Sequence, residues 1–119
     1  MIELKPGVRV TAMSPQIGLA IQVAASAWTG AWDEIEPENI RCIGMVVTSI
    51  NDSLHARTSL HYIGHACDIR TKTLPTATAK RWFAAEVRRR LGVDFDVVLE
   101  GLGTHNEHLH VEHQPKGAA

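Results

Sequence analysis

Two short stretches hold most of the residues that could bind a metal or move a proton. They are Ser59-Leu60-His61-Tyr62-Ile63-Gly64-His65-Ala66-Cys67-Asp68 and Glu107-His108-Leu109-His110. The chain has seven histidines, in two groups: His55, His61 and His65, then His105, His108, His110 and His113. Neither group supplies a full ligand set by itself, so the question is whether the fold brings them together.

Six residues separate His61 from Asp68, and Gly64 between them allows a sharp bend that can aim both ends at one point. Asp68 follows Ala66-Cys67, and a carboxylate among small apolar neighbours needs a partner, because burying an unpaired charge is costly. A metal ion would be such a partner. Histidine nitrogen and carboxylate oxygen both suit zinc, with bonds of about 2.0–2.2 Å. Two ligands from the first stretch and one histidine from the second make three, and three protein ligands plus water is the layout of a catalytic zinc site.

In the second stretch, alternation puts Leu109 and Val111 on one strand face, with His108, His110 and Glu112 on the other. This parity does not choose between His108 and His110. An HxH taken alone also fits two solvent-facing histidines on an outward sheet face. Glu107 stands three residues before His110 and in a regular strand would face the opposite way. It must therefore sit on the bend out of the Gly101–Asn106 turn, where a carboxylate can take a proton from water and pass it to a leaving amine.

The elements that must position these residues are legible from pattern. Ser14-Pro15 reads as N-cap and first helical position, opening a helix from about Pro15 to Trp28. Its apolar stripe is Ile17, Ala20, Ile21, Ala24 and Trp28, and Thr29-Gly30 reads as its end. Val8-Arg9-Val10 is a short alternating piece, a strand or an ordered arm. Ile43–Ile50 reads as a buried strand and Ala66–Arg70 as a short one. A second helix spans about Thr76 to Leu91, with Ala79, Phe83, Val87 and Leu91 inward and Gly92 at C′. Asp94–Glu100 and His108–His113 alternate as strands. The order helix, strand, strand, helix, strand, strand implies an α+β domain with a small, largely antiparallel sheet and helices packed on it.

Composition narrows the classes. The 119 residues suffice for one domain, and 45% hydrophobic content predicts a packed core. Lys+Arg 12 against Asp+Glu 13 leaves no electrostatic footprint for nucleic acid or an anionic membrane. The run Arg88-Arg89-Arg90 is read as complementing a helix dipole. No membrane-spanning stretch and no signal peptide are visible. Cys42 and Cys67 are read as two reduced core thiols, in keeping with synthesis in the cytoplasm.

The two stretches fit, in order, the SxHxxGxAxD and ExxH motifs. They resemble the zinc D-Ala-D-Ala carboxypeptidase and L-Ala-D-Glu endopeptidase family, which includes small phage endolysins. That family shares its fold with the signalling domain of hedgehog proteins. The motif-bearing resemblance covers about residues 47–115 of a single 1–119 domain. It implies one zinc ion held by His61, Asp68 and His110, with Glu107 as general base. Ser59 would orient the His61 loop, and His108 would neighbour the substrate or the developing oxyanion. Many members carry a substrate-holding arginine after the strand corresponding to Ile43–Ile50. Here Arg57 or His55 is the candidate for that task. The implied activity is a zinc metallopeptidase hydrolysing an amide bond in peptidoglycan stem peptides. Its partner would be the peptide substrate, with no nucleic acid and no membrane insertion. The expected setting is cytoplasmic synthesis and action on the cell wall after release, as in phage or prophage lysis. The alternative is a non-catalytic, zinc-stabilised binding module of the same fold.

Overall fold

The computed structural model describes residues 2–9, 13–33, 43–51 and 65–115. Two helices are set by their first residues and their apolar stripes. In α1 (Pro15–Asp33) the Ser14 hydroxyl accepts from the Ile17 amide at 3.2 Å, which satisfies one of the orphan donors of the first turn. In α2 (Ala77–Leu91) Thr76 does the same for Ala79 at 3.0 Å, and the Gly92 amide closes the far end on the Arg88 carbonyl. Gly92 takes φ 80°, a conformation that side-chain-bearing residues rarely adopt.

The expected stripe of α1 is buried in full: Ile17, Ala20, Ile21, Ala24 and Trp28. The helix does not stop at Gly30, however, and runs on to Asp33. Gly30 serves contact rather than termination. A Cβ there would lie 2.7 Å from the Trp82 ring of α2, so the missing side chain lets the two helices approach. In α2, Ala79, Phe83 and Val87 are buried as expected, while Leu91 is only half-buried at the end of the helix.

Five strands form one mixed sheet in the order β1-β2-β3-β5-β4. They are β1 (Ile2–Leu4), β2 (Met45–Asn51), β3 (Ala66–Arg70), β4 (Phe95–Glu100) and β5 (His108–His113). β1 pairs parallel with β2, and every other pairing is antiparallel. The N-terminal strand is therefore Ile2–Leu4 and not Val8-Arg9-Val10. The Val8 amide instead closes a turn on the Lys5 carbonyl, Arg9 lies outside any strand, and Val10 falls outside the described residues.

One face of the sheet carries Met45, Val47, Cys67, Ile69, Val97, Leu109 and Val111, all buried in a single core with α1 and α2. The opposite face has no helix over it among the described residues and carries the chemistry. Arg88 ties α2 to the edge strand β4 by donating twice, at 2.8 and 3.3 Å, to the Val97 carbonyl. Arg89 and Arg90 both pair with Glu86. The basic run is thus engaged locally. No described helix is long and apolar enough to cross a membrane.

Candidate metal and proton-transfer site

Strand pairing brings the two sequence stretches together. Asp68 on β3 sits directly opposite His110 on β5, and Arg70 sits opposite His108. Alternation then puts Asp68, His108, His110 and Glu112 on the open face, each half-buried, while Cys67, Leu109 and Val111 turn into the core. The face assignment made from β5 parity alone holds.

His110 is the centre of the group. Its Nδ1 lies 2.8 Å from Asp68 Oδ1 and its Nε2 lies 3.1 Å from Glu112 Oε1. The two ring nitrogens therefore have separate partners, a carboxylate across the strands and a carboxylate two residues on. The hydrogen bond to Asp68, opposed by partial burial and reinforced by Glu112, pushes the His110 pKa up to about 9. The side chain of Gln114 donates to the other oxygen of Glu112 and so fixes it. His108 Nε2 stands 3.8 Å from Asp68 Oδ1 and 3.7 Å from Glu100 Oε1, and its Nδ1 is 2.7 Å from the Asn106 carbonyl.

Glu107 occupies the bend before β5, outside the ladder, as its spacing requires. The turn before it is built by Gly101 (φ 66°) and Gly103 (φ 86°), with the Thr104 amide bonded to the Gly101 carbonyl at 2.8 Å. Its carboxylate is almost sealed, with 1% of the side chain exposed. Thr71 Oγ1 donates to Oε2 at 2.5 Å, while Lys80 Nζ and the Gly103 amide donate to Oε1 at 2.9 and 3.0 Å. Burial by itself raises the Glu107 pKa, but these donors together outweigh it and hold the group below the ordinary carboxylate range. Thr71 and Lys80 lie 36 and 27 residues away in the chain. Nothing local in the sequence marks them as its partners.

Of the three candidate ligands, Asp68 and His110 are adjacent, and His61 lies outside the described residues together with Ser59, Arg57 and His55. Among the described residues no group of three or more His, Cys, Asp or Glu side chains is placed to hold a metal ion. The described pair does fit two positions of one. In a tetrahedron with bonds of about 2.0–2.1 Å, neighbouring donor atoms are about 3.3 Å apart, so an ion could replace the shared proton with a small outward shift. With an ion there, the Nε2 contact to Glu112 would be the outer hydrogen bond that orients the histidine.

Cys67, between the site and the core, is buried, and burial followed by the Asp68 charge pushes its thiol up to about 12. It is an inert core thiol, and Cys42 lies outside the described residues. His65 and His113 pack ring to ring at 5.5 Å, with His113 against Phe95 at 4.9 Å, while His105 is exposed. The chain matches no family model, no curated protein and no solved structure.

Proposed function

We propose that this chain is a zinc-dependent peptidase that hydrolyses an amide bond in peptidoglycan stem peptides, on a fold related to that of the hedgehog signalling domain and the D,D-peptidases. The observation that carries the reading is the 2.8 Å approach of His110 Nδ1 to Asp68 Oδ1 on paired strands. Two residues 42 apart in the chain thereby meet, which supports the paired roles that the two motifs imply for them. His61, seven positions before Asp68, is the third ligand of this reading.

A bound zinc ion would polarise the scissile carbonyl and acidify its water. The chain's own residues do the rest. Asp68 and His110 would hold the ion, with Glu112 fixing the His110 ring from behind. Glu107 and His108 both line the hollow beside Asp68. Glu107 is the proton acceptor of this reading. One of its oxygens, Oε2, has a single donor among the described residues, Thr71, and so keeps a lone pair for a proton bound for the leaving nitrogen. His108 faces the same space from the strand and is placed to touch the substrate carbonyl.

The second reading, a zinc-stabilised binding module, has its own observation. Glu107 is sealed and held by three donors, as a structural carboxylate would be. The two readings separate in one experiment. Purified peptidoglycan is incubated with zinc-loaded protein, with and without chelator, and the released muropeptides are identified by mass spectrometry. The peptidase reading expects new amino and carboxyl termini at one bond, abolished by chelation and restored by zinc. A protein that binds zinc, gains stability from it and releases nothing refutes the peptidase reading and leaves the module. The setting that goes with the peptidase reading is release from the cell of origin onto the wall during phage or prophage lysis.

A further inference from the structure

The open face of the sheet carries more positive charge than its chemistry so far uses. A hollow of about 210 Å³ beside Asp68 and His108 is also lined by Lys5, Thr48, Arg70 and Lys72. A second hollow, of about 390 Å³, is lined by Lys5, Arg9, Thr48 and Ser49 among others. Lys5 and Thr48 border both, so the two hollows lie side by side as a groove divided at these residues, with Asp68 in the first. Lys5 enters from the end of β1, where its amide bonds the Val47 carbonyl at 2.9 Å, and Arg70 and Lys72 come from the end of β3.

These cations are not spent within the fold. Among the described residues Lys5, Arg9, Arg70 and Lys72 form no ion pair. Lys72 donates only to the uncharged His105 carbonyl, at 3.3 Å. The two acids that share the first hollow already have partners, Asp68 in His110 and Glu107 in Lys80. Nor is the concentration a by-product of a basic chain, since the formal net charge is −1.

We propose that this groove recognises free carboxylates on the peptide substrate, with Arg70, Lys72, Lys5 and Arg9 flanking the bond held at Asp68. A charge-assisted hydrogen bond from guanidinium or ammonium to carboxylate is about twice as strong as a neutral one, and Arg70 offers the planar fork that grips both oxygens. A polyanion is a poorer match. Nucleic acid or polyphosphate needs a continuous basic track, whereas here an aspartate stands in the floor between the cations. A peptide bearing isolated carboxylates beside an uncharged amide matches that alternation. The identity of the ligand as a peptide rests on the peptidase reading, but the preference for carboxylate does not.

The test uses the stem tripeptide L-Ala-γ-D-Glu-L-Lys with free carboxylates and the same peptide with both carboxylates amidated. Binding to the wild-type chain is followed by calorimetry in chelator, so that hydrolysis does not interfere. The free acid should bind about tenfold tighter than the diamide, and tenfold corresponds to about 1.4 kcal/mol. The double variant Arg70→Gln, Lys72→Gln should lose that preference while binding the diamide unchanged. Both positions lie on the open face, so far-ultraviolet circular dichroism should match wild type. If it does not, the single variant Lys5→Gln, on exposed chain, carries the same comparison. Equal affinity for acid and diamide overturns the proposal. So does displacement of the acid by inorganic phosphate at concentrations where acetate has no effect, which would assign the groove to phosphate. Cleavage of both peptides with equal kcat/KM would sink the groove and spare the peptidase. Acid preference with zinc bound and no cleavage would do the reverse.

Discussion

The protein holds two carboxylate centres with opposite construction, one at the bend before β5 and one on the open face of the sheet. Glu107 has 1% of its side chain exposed and three donors around it, drawn from β3's end, α2 and the turn before β5. Asp68 and His110 have 29% and 27% exposed, and among the described residues their contacts come from the paired strands and their neighbours. A carboxylate sealed among three donors, one of them charged, adds to stability because the fold has replaced most of its water. An open acid–histidine pair adds little, since solvent competes for it, but it can exchange its shared proton for an ion. Damage at the two centres should therefore appear in different measurements.

The largest effect is expected at the open centre, in metal binding. Asp68→Ala removes one of the two adjacent ligands of the peptidase reading and should weaken zinc binding by about a hundredfold or more, beyond what loss of an outer-sphere partner costs. Peptide hydrolysis should fall with it. The midpoint of urea unfolding of the metal-free protein should move little, because the lost contact is partly solvated. Metal titration with a competing chromophoric chelator reads the first quantity and circular dichroism reads the second. A large loss of metal-free stability with zinc affinity intact would invert the contrast between the centres.

Glu107→Gln should give the opposite pattern. The amide cannot accept as a carboxylate does from both Lys80 and Thr71, and a partly buried ammonium is left without its counter-charge. A loss of about 2–3 kcal/mol of folding stability at neutral pH is expected. The pH dependence has a definite sign. The folded-state pKa of Glu107 lies below its unfolded value, so its contribution is fully present above the ordinary carboxylate range. It is lost as pH falls through the lowered folded value. Wild type and Glu107→Gln should thus converge in stability under acid and separate as pH rises past the carboxylate range. Denaturant titrations at a series of pH values test this, and a gap that widens toward acid would show that the anchoring donors do not act on the ionised form. If activity at neutral pH also disappears while zinc stays bound, Glu107 combines anchoring with proton transfer.

The difference between the centres also explains what could be read in advance. Periodicity carries local information, so α1's stripe, the Ser14 cap, and the bounds of β3 and β5 were all legible. So was the sharing of one face by His108, His110 and Glu112, because a strand's parity is set within three residues. The sealing of Glu107 was not legible, because Thr71 and Lys80 reach it only after β3 and α2 have docked. Gly30 looked like a helix stop because glycine is a common terminator, and only the packing of Trp82 reveals why it sits inside α1. The strand Ile2–Leu4 escaped because three residues give no periodic signal, and its partner lies more than forty residues away. The convergence of Asp68 with His110 was legible only through motif resemblance, since alternation alone does not say which strand lies beside which.

The smallest effect is expected at Glu112, which touches the open centre from outside. It accepts at 3.1 Å from His110 Nε2, the nitrogen that faces away from Asp68. An imidazole bound through Nδ1 is free to rock unless its far nitrogen is held, and a carboxylate there also raises its basicity toward the metal. Glu112→Gln keeps an acceptor oxygen but removes the charge, so it should weaken zinc binding by about tenfold. Folding should be nearly unaffected, because Glu112 is half-buried and among the described residues bonds only Gln114 and His110. Glu112→Asp, which restores the charge one methylene short, should recover part of the affinity if charge dominates and none if position does. Zinc affinity unchanged in both variants would mean that the β3–β5 ladder alone orients His110, and that the open centre is held as rigidly by backbone pairing as the sealed one is by its three donors.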